Sequence, residues 1–238
     1  MKWSQASDAG LVRRVNEDSL CIEPGLGLFV VADGMGGHQA GEIASRTAIA
    51  ELVRFLKARH PFPDDPGTIL VQGVQEANRL VYQLSSSNLS YRGMGTTLTA
   101  ALVTKDYLYL AHVGDSRIYL LRKGKMHQLT EDHSLVQELV RLGGLSEEQA
   151  RCHPQRNVLT RALGIEPRVE VDGARVKIQP GDKVLLCTDG LTVHLSPQEI
   201  VMLVEKNPDL NRAVNKLVQV ALERGGSDNI TVILMAVE

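Results

Sequence analysis

Four acidic residues stand where a strand-like apolar run meets a turn. "FVVADG" ends in Asp33-Gly34 and "LLCTDG" ends in Asp189-Gly190. "HVGDSR" places Asp115 just after such a run, and "GGSDNITVIL" places Asp228 just before one. Two more acids, Glu17 and Asp18, lie early in "RRVNEDS". A rigid sheet can hold side chains at strand ends while glycine frees the backbone beside them. Any one of these acids alone reads as a turn residue or helix cap. As a set with matching flanks they point to metal. Converging carboxylates repel one another and raise each other's pKa unless a cation neutralises them. Oxygen donors without His or Cys suit Mg²⁺ or Mn²⁺, not zinc.

The glycines of "FVVADGMGGH" invite two other readings, and both fail. A dinucleotide fingerprint needs G-x-G-x-x-G, but Gln39 stands where the third glycine belongs, and the acid precedes the glycines. A P-loop needs a lysine after its last glycine, and none occurs between Lys2 and Lys57.

The elements that must carry the acids can be read from periodicity. Ile49, Leu52, Val53 and Leu56 share one helix face, as do Leu70, Val74, Ala77, Val81 and Leu84. "HPFPDDPG" separates the two helices. "SLCIE", "LGLFVVA", "TTLTAALVT", "YLYLAHVG", "RIYLLR", "KVLLCTDG" and "NITVILMAV" read as strands. A third helix opens on a capping box, Ser196 with Glu199, with Pro197 at its first position. A fourth places Ala213, Leu217, Val220 and Ala221 on one face. Helices paired early, strands in the middle and helices paired late favour an antiparallel α+β layered fold over βαβ alternation.

Composition agrees with a soluble protein. The 238 residues are 43% hydrophobic and 23% charged, enough for a sizeable core without disulfides. No run is apolar for long enough to span a membrane, and "MKWSQASDAG" lacks the apolar centre of a secretory signal. A net charge of −2 gives no electrostatic reason to expect nucleic acid or an anionic membrane as partner. Cys21, Cys152 and Cys187 show no C-x-x-C spacing and are expected to be buried small hydrophobes. A reducing, cytoplasmic location is expected.

The ordered set "RRVNED", "VVADGMGGH.AGEIAS", "GMGTTLTAAL", "HVGDSRIYLL", "LTEDHS", "LTRALG", "LLCTDGL" and "GGSDNITVIL" resembles the bacterial branch of the metal-dependent protein phosphatases, the protein phosphatase 2C (PPM) family. The likeness runs over essentially the whole chain. It implies one catalytic domain over residues 1–238, α+β, with a central β-sandwich of two antiparallel sheets flanked by pairs of helices. A flap subdomain is expected around residues 143–160. By the same resemblance, Asp33 bridges two metal ions and the Gly34 carbonyl ligates one of them. Asp189 and Asp228 complete the shell of the other. Glu17 reaches the first ion, Asp18 supports it from behind, and Asp115 shares a third, weaker ion with Asp189. Arg13, five residues before Asp18, matches the arginine that grips the substrate phosphate.

The implied function is hydrolysis of phosphoserine and phosphothreonine in proteins. A hydroxide held between two Mg²⁺ or Mn²⁺ ions would attack phosphorus in line, without a phospho-enzyme. No C-x5-R nucleophile motif competes with that reading. Eukaryotic relatives often carry histidine directly after the first "DG", whereas this chain has Met35, with His38 three residues on. The proton for the leaving oxygen is therefore expected from His38 or from a metal-held water. His153, in the flap, is a candidate substrate contact. His60, His127 and His194 read as surface residues, His112 as a core residue, and His133 as the organiser of a turn or helix start. A monomer acting on phosphoproteins is expected, with a cognate Ser/Thr kinase or its substrates among its partners. Two other classes are a silent phosphoprotein-binding pseudophosphatase and a nucleotide-binding oxidoreductase. The intact acid set argues against the first and the failed glycine motifs against the second.

Overall fold

The structure is a computed structural model that describes residues 1–36, 40–62 and 64–238. Strand β3 (Leu28–Ala32) consists of five consecutive apolar residues because both its faces are covered. Leu28, Val30 and Ala32 pack against helices, while Phe29 and Val31 face a second sheet. The period-2 geometry of a strand assigns alternate residues to the two layers.

One five-stranded sheet has the order β10 (Asp172–Lys177), β7 (Tyr107–Val113), β6 (Leu98–Val103), β3, β2 (Ser19–Glu23). The other runs β1 (Lys2–Asp8), β12 (Ile230–Ala236), β11 (Lys183–Cys187), β8 (Arg117–Arg122), β9 (Lys125–Gln128). A short pair, β4 (Gly34–Met35) with β5 (Gly95–Thr96), stands beside them. Neighbouring strands pair antiparallel throughout. Helices α1 (Ala40–Lys57) and α2 (Pro66–Ser87) cover the first sheet. Helices α6 (Pro197–Lys206) and α7 (Leu210–Glu223) cover the second. Phe29, Val31, Ile118, Leu186 and Ile233 fill the space between the sheets. The expected α+β sandwich with flanking helix pairs is what forms. Among the described residues, no helix is long and apolar enough to cross a membrane.

Register explains why the acids meet. In the first sheet, Ala32 at the end of β3 pairs with Ser19 at the start of β2, and Val113 at the end of β7 pairs with Leu98 at the start of β6. In the second, Asp8 ends β1 opposite Ile230, which starts β12, and Cys187 ends β11 opposite Arg117, which starts β8. Asp18, Asp33, Asp115, Asp189 and Asp228 all lie in the connections at these ends.

Between β9 and β10 the chain makes an excursion carrying α3 (Leu135–Arg141) and α4 (Glu147–Arg151). Its stem is closed by Leu135 N–H donating to the Val158 carbonyl at 2.8 Å and Thr160 N–H donating to the His133 carbonyl at 2.9 Å. One sequence expectation needs correction. Only Cys187 is buried; Cys21 is half-buried and Cys152 is exposed, at the C-terminus of α4 among polar neighbours. In the excursion, Ser146 and Gln149 form a reciprocal capping box that starts α4.

Candidate metal and phosphate site

Asp33 is aimed by its own backbone. Its N–H donates to Thr97 Oγ1 at 2.8 Å, and its carbonyl accepts from Thr97 N–H and Thr96 Oγ1, each at 2.9 Å. Thr97 Oγ1 also meets Ser116 Oγ at 2.8 Å, which joins the Asp33 turn to the Asp115 turn. Arg117 forks onto Asp132 at 2.8 and 2.6 Å and braces that second turn from the far side. Gly34 packs so closely that a Cβ there would collide with the carbonyl oxygens of Gly41 and Glu17. A Cβ on Gly41 would lie 2.6 Å from Glu17 Oε1. These glycines serve close approach of two backbones, not a phosphate nest.

Asn229 pins the loop that carries Arg13 and Glu17. Its Oδ1 accepts from Glu17 N–H at 2.8 Å, and its Nδ2 donates to the carbonyls of Ala9 at 2.9 Å and Val15 at 3.1 Å. Its own N–H donates to Asp228 Oδ1 at 2.9 Å. Arg13 Nη2 donates to the other oxygen of Asp228 at 2.8 Å. Asp189 opens the short helix α5 (Asp189–Thr192), with Thr188 at the N-cap. Thr188 Oγ1 donates to Asp18 Oδ2 at 2.8 Å while accepting from Thr231 N–H at 3.0 Å.

Electrostatics marks the cluster as incomplete without positive charge. Burial pushes Asp18 up to about 7, with Asp189 and Asp228 adding repulsion. Burial, and then Asp228, raise Asp189 to about 6. Asp33 and Asp115 are driven well above the usual carboxylate range by burial, with Asp18 and Asp189 the next cause for each respectively. Burial also raises Glu17. Among the described residues, Glu17 Oε1, Asp18 Oδ1 and Asp189 Oδ1 are buried side-chain oxygens without a hydrogen-bond partner. An orphaned buried acceptor is costly, and bound cations with their waters would satisfy these oxygens.

Among the described residues, no three acid, His or Cys side chains close into a ready-made cage. The repulsion among these acids and the orphaned oxygens nevertheless show like charge gathered without a neutralising partner. The two observations agree for Mg²⁺ or Mn²⁺. Mg²⁺ keeps several waters and takes one or two carboxylates per ion, and carbonyls and carboxylates also suit Mn²⁺. The donor set of acids plus the Gly34 carbonyl therefore fits the expected metals.

The structure thus brings Arg13, Glu17, Asp18, Asp33, Gly34, Asp115, Asp189 and Asp228 to one end of the sandwich. His38 lies outside the described residues. His153 sits just beyond α4, where its Nδ1 accepts from Gln155 N–H at 3.1 Å, a bond within its own turn. Two positioning side chains escape the sequence reading. Thr188 is visible only as the residue before the second "DG". His194, expected at the surface, is half-buried, and its Nε2 accepts from Ser227 N–H at 3.1 Å, tying the Asp189 helix to the Asp228 turn.

The sequence profile of protein phosphatase 2C matches residues 7–230. The serine/threonine phosphatase Stp of Listeria welshimeri is 41% identical over 234 residues, covering 96% of this chain and 93% of that protein. PstP of Mycobacterium tuberculosis is 40% identical over 241 residues, covering 98% of this chain and 44% of that protein. A crystal structure of M. tuberculosis PstP superposes with a TM-score of 0.92 at 38% identity, covering 100% of this chain and 98% of that one. The PstP catalytic domain in complex with two manganese ions superposes with a TM-score of 0.88 at 37% identity, covering 98% and 96% of the two chains. By sequence profile, by relatives and by fold, the chain belongs to the protein phosphatase 2C family.

Proposed function

We propose that this protein is a Mg²⁺- or Mn²⁺-dependent phosphatase that hydrolyses phosphoserine and phosphothreonine in proteins. The observation that carries the reading is the set of orphaned, repelling carboxylates, Glu17, Asp18 and Asp189 among them, beside an arginine at one end of the sandwich. The relatives' common activity, serine/threonine dephosphorylation, supplies the substrate class. Asp33, the Gly34 carbonyl, Asp189, Asp228 and Glu17 would hold two ions, with Asp18 behind them. Asp115 and Asp189 would hold a third. Bound metal would supply Lewis-acid activation of water and neutralise charge on the phosphoryl oxygens.

The chain's own residues have separable tasks. Thr96, Thr97 and Asn229 hold the acid-bearing turns still, so the site is organised before substrate arrives. Arg13 binds phosphate. One of its five donors is engaged by Asp228, and a planar fork remains for phosphate oxygens. Met35 has no proton to give at the position after the first "DG", so His38, three residues on in the sequence, or a metal-held water would protonate the leaving oxygen. The chain would act as a single domain and a monomer in the cytoplasm. A Ser/Thr kinase or its substrates would supply the phosphoproteins.

The test is turnover of a phosphothreonine peptide with Mn²⁺, with and without a chelator. Activity that survives chelation overturns the reading. Asp33→Ala and Asp189→Ala are each expected to reduce turnover to near background while leaving the protein folded by circular dichroism.

A further inference from the structure

The excursion over residues 134–160 rises from the Asp115 turn, and one histidine joins the two. Gly114 and His133 clasp each other twice. His133 N–H donates to the Gly114 carbonyl at 2.7 Å, and Gly114 N–H donates to His133 Nδ1 at 3.0 Å. Because a backbone N–H only donates, Nδ1 is the acceptor nitrogen and the neutral ring carries its proton on Nε2. That proton faces Asp172 Oδ2 at 3.1 Å. Arg161 Nη1 donates to the other oxygen, Asp172 Oδ1, at 2.8 Å. Asp172 is placed there by the sheet, since its Cα pairs with that of His112 across β10 and β7. The His112 ring lies against that of His133 with centroids 4.8 Å apart.

The same histidine forms one foot of the excursion. Its carbonyl accepts from Thr160 N–H at 2.9 Å, and the next residues bridge as Ser134 with Leu159. The second foot is tied to the other metal turn. Thr96 and Leu163 exchange backbone hydrogen bonds at 3.1 and 2.9 Å, and Thr96 Oγ1 donates to the Asp33 carbonyl. Gly114 itself has no slack. Its φ is +112°, and a Cβ there would press into Thr97 at 2.5–2.6 Å. The Asp115 turn is therefore wedged against Thr97 on one side and held by His133 on the other.

Resting on the proposed phosphatase reading, we propose that His133, oriented by Asp172 and Arg161, is a positioning residue. It locks the Gly114–Asp115 turn to the stem of the 134–160 excursion and thereby sets metal affinity at Asp115. His133 does not touch substrate. Its influence passes through one backbone amide and one carbonyl.

The experiment compares wild type, His133→Ala, His133→Asn and Asp172→Ala. Asparagine keeps a side-chain acceptor for Gly114 N–H; alanine does not. Asp172 is half-exposed on an edge strand, so its loss tests the network without opening the core. Three quantities are read: Mn²⁺ affinity by calorimetry, the Mn²⁺ dependence of turnover of a small aryl phosphate, and the melting temperature in chelator. In His133→Ala, the weakest calorimetric Mn²⁺ dissociation constant and the Mn²⁺ needed for half-maximal rate are both expected to rise about ten-fold. The rate at saturating Mn²⁺ should stay within about two-fold of wild type, because the acids themselves remain. His133→Asn should recover most of the affinity. Asp172→Ala should show a rise of about three-fold in the same direction, and it decides the matter if His133→Ala does not fold. Folded variants with wild-type Mn²⁺ affinity overturn the inference, as does a folded His133→Asn as weak as the alanine variant. A wild-type protein with no Mn²⁺-dependent turnover overturns the phosphatase reading instead.

Discussion

Arg13 and Asp228 are joined by a 2.8 Å hydrogen bond from Nη2 to Oδ2, although 215 residues separate them in sequence. The guanidinium is half-exposed, so the bond holds it beside Asp228 without burying it. Replacing Arg13 by alanine is expected to lower kcat/KM on a phosphopeptide by roughly 30-fold, the worth of a lost charged hydrogen bond. Most of that loss should appear in KM. Arg13→Lys should recover only part of it, because an ammonium lacks the planar fork. Steady-state kinetics at saturating Mn²⁺ checks both.

Asn229 is the knot of the Arg13–Glu17 loop. Asn229→Ala leaves Glu17 N–H and the carbonyls of Ala9 and Val15 without their partner. A stability loss of about 2 kcal/mol is expected. Urea unfolding measures it, and a loss indistinguishable from zero contradicts the pinning role.

Metal should matter more to stability at high pH than at low. Asp18 is raised to about 7 and Asp189 to about 6, whereas unfolded aspartates titrate at about 4. Between these limits the folded chain holds protons that the unfolded chain has released. The part of the stability that these two carboxylates contribute in chelator is therefore fully present below about pH 4 and is lost as pH rises through 6 to 7. Mn²⁺ replaces those protons and also binds the folded state selectively. The rise in melting temperature on adding Mn²⁺ should be larger at pH 8 than at pH 5, and an equal or reversed difference contradicts the shared site.

His112 gives the opposite slope. It is buried, and burial lowers it to about 4. Its Nε2–H donates to the Glu131 carbonyl at 3.0 Å and its Nδ1 meets Thr99 Oγ1 at 2.8 Å, an arrangement suited to the neutral ring. An unfolded histidine binds its proton at about 6.5. The stabilisation is present above that value and is lost as pH falls from about 6.5 to about 4, up to about 3 kcal/mol. Denaturant midpoints of wild type and His112→Gln over this window should converge toward the acid end.

Asp33, Asp115, Asp189 and Asp228 were legible because each ends or begins a local apolar run, a signal held within five or six residues. Helix caps such as Ser196 with Glu199 are equally local. β1 gave no such signal. Of "KWSQASD" only Ser4 is buried, and the segment is a strand because β12 pairs with it residue by residue. Thr188 and His194 were illegible for the same reason. Their partners, Asp18 and Ser227, lie 170 and 33 residues away. His133 was read as the organiser of a turn, and only the fold reveals which turn.

The doubly covered strand β3 carries a last consequence. Phe29 and Val31 answer to one layer, Leu28, Val30 and Ala32 to another, and Asp33 is simply the next residue. A slip of one residue would trade the two layers and turn the acid away from its neighbours. The core is thus the ruler against which the chemistry is measured. A cavity-forming change at Val31, a buried residue that touches no phosphate, is an injury to the enzyme's aim as much as to its stability. Inactivating variants of this protein should therefore be sought in its greasiest strand as well as among its charged residues.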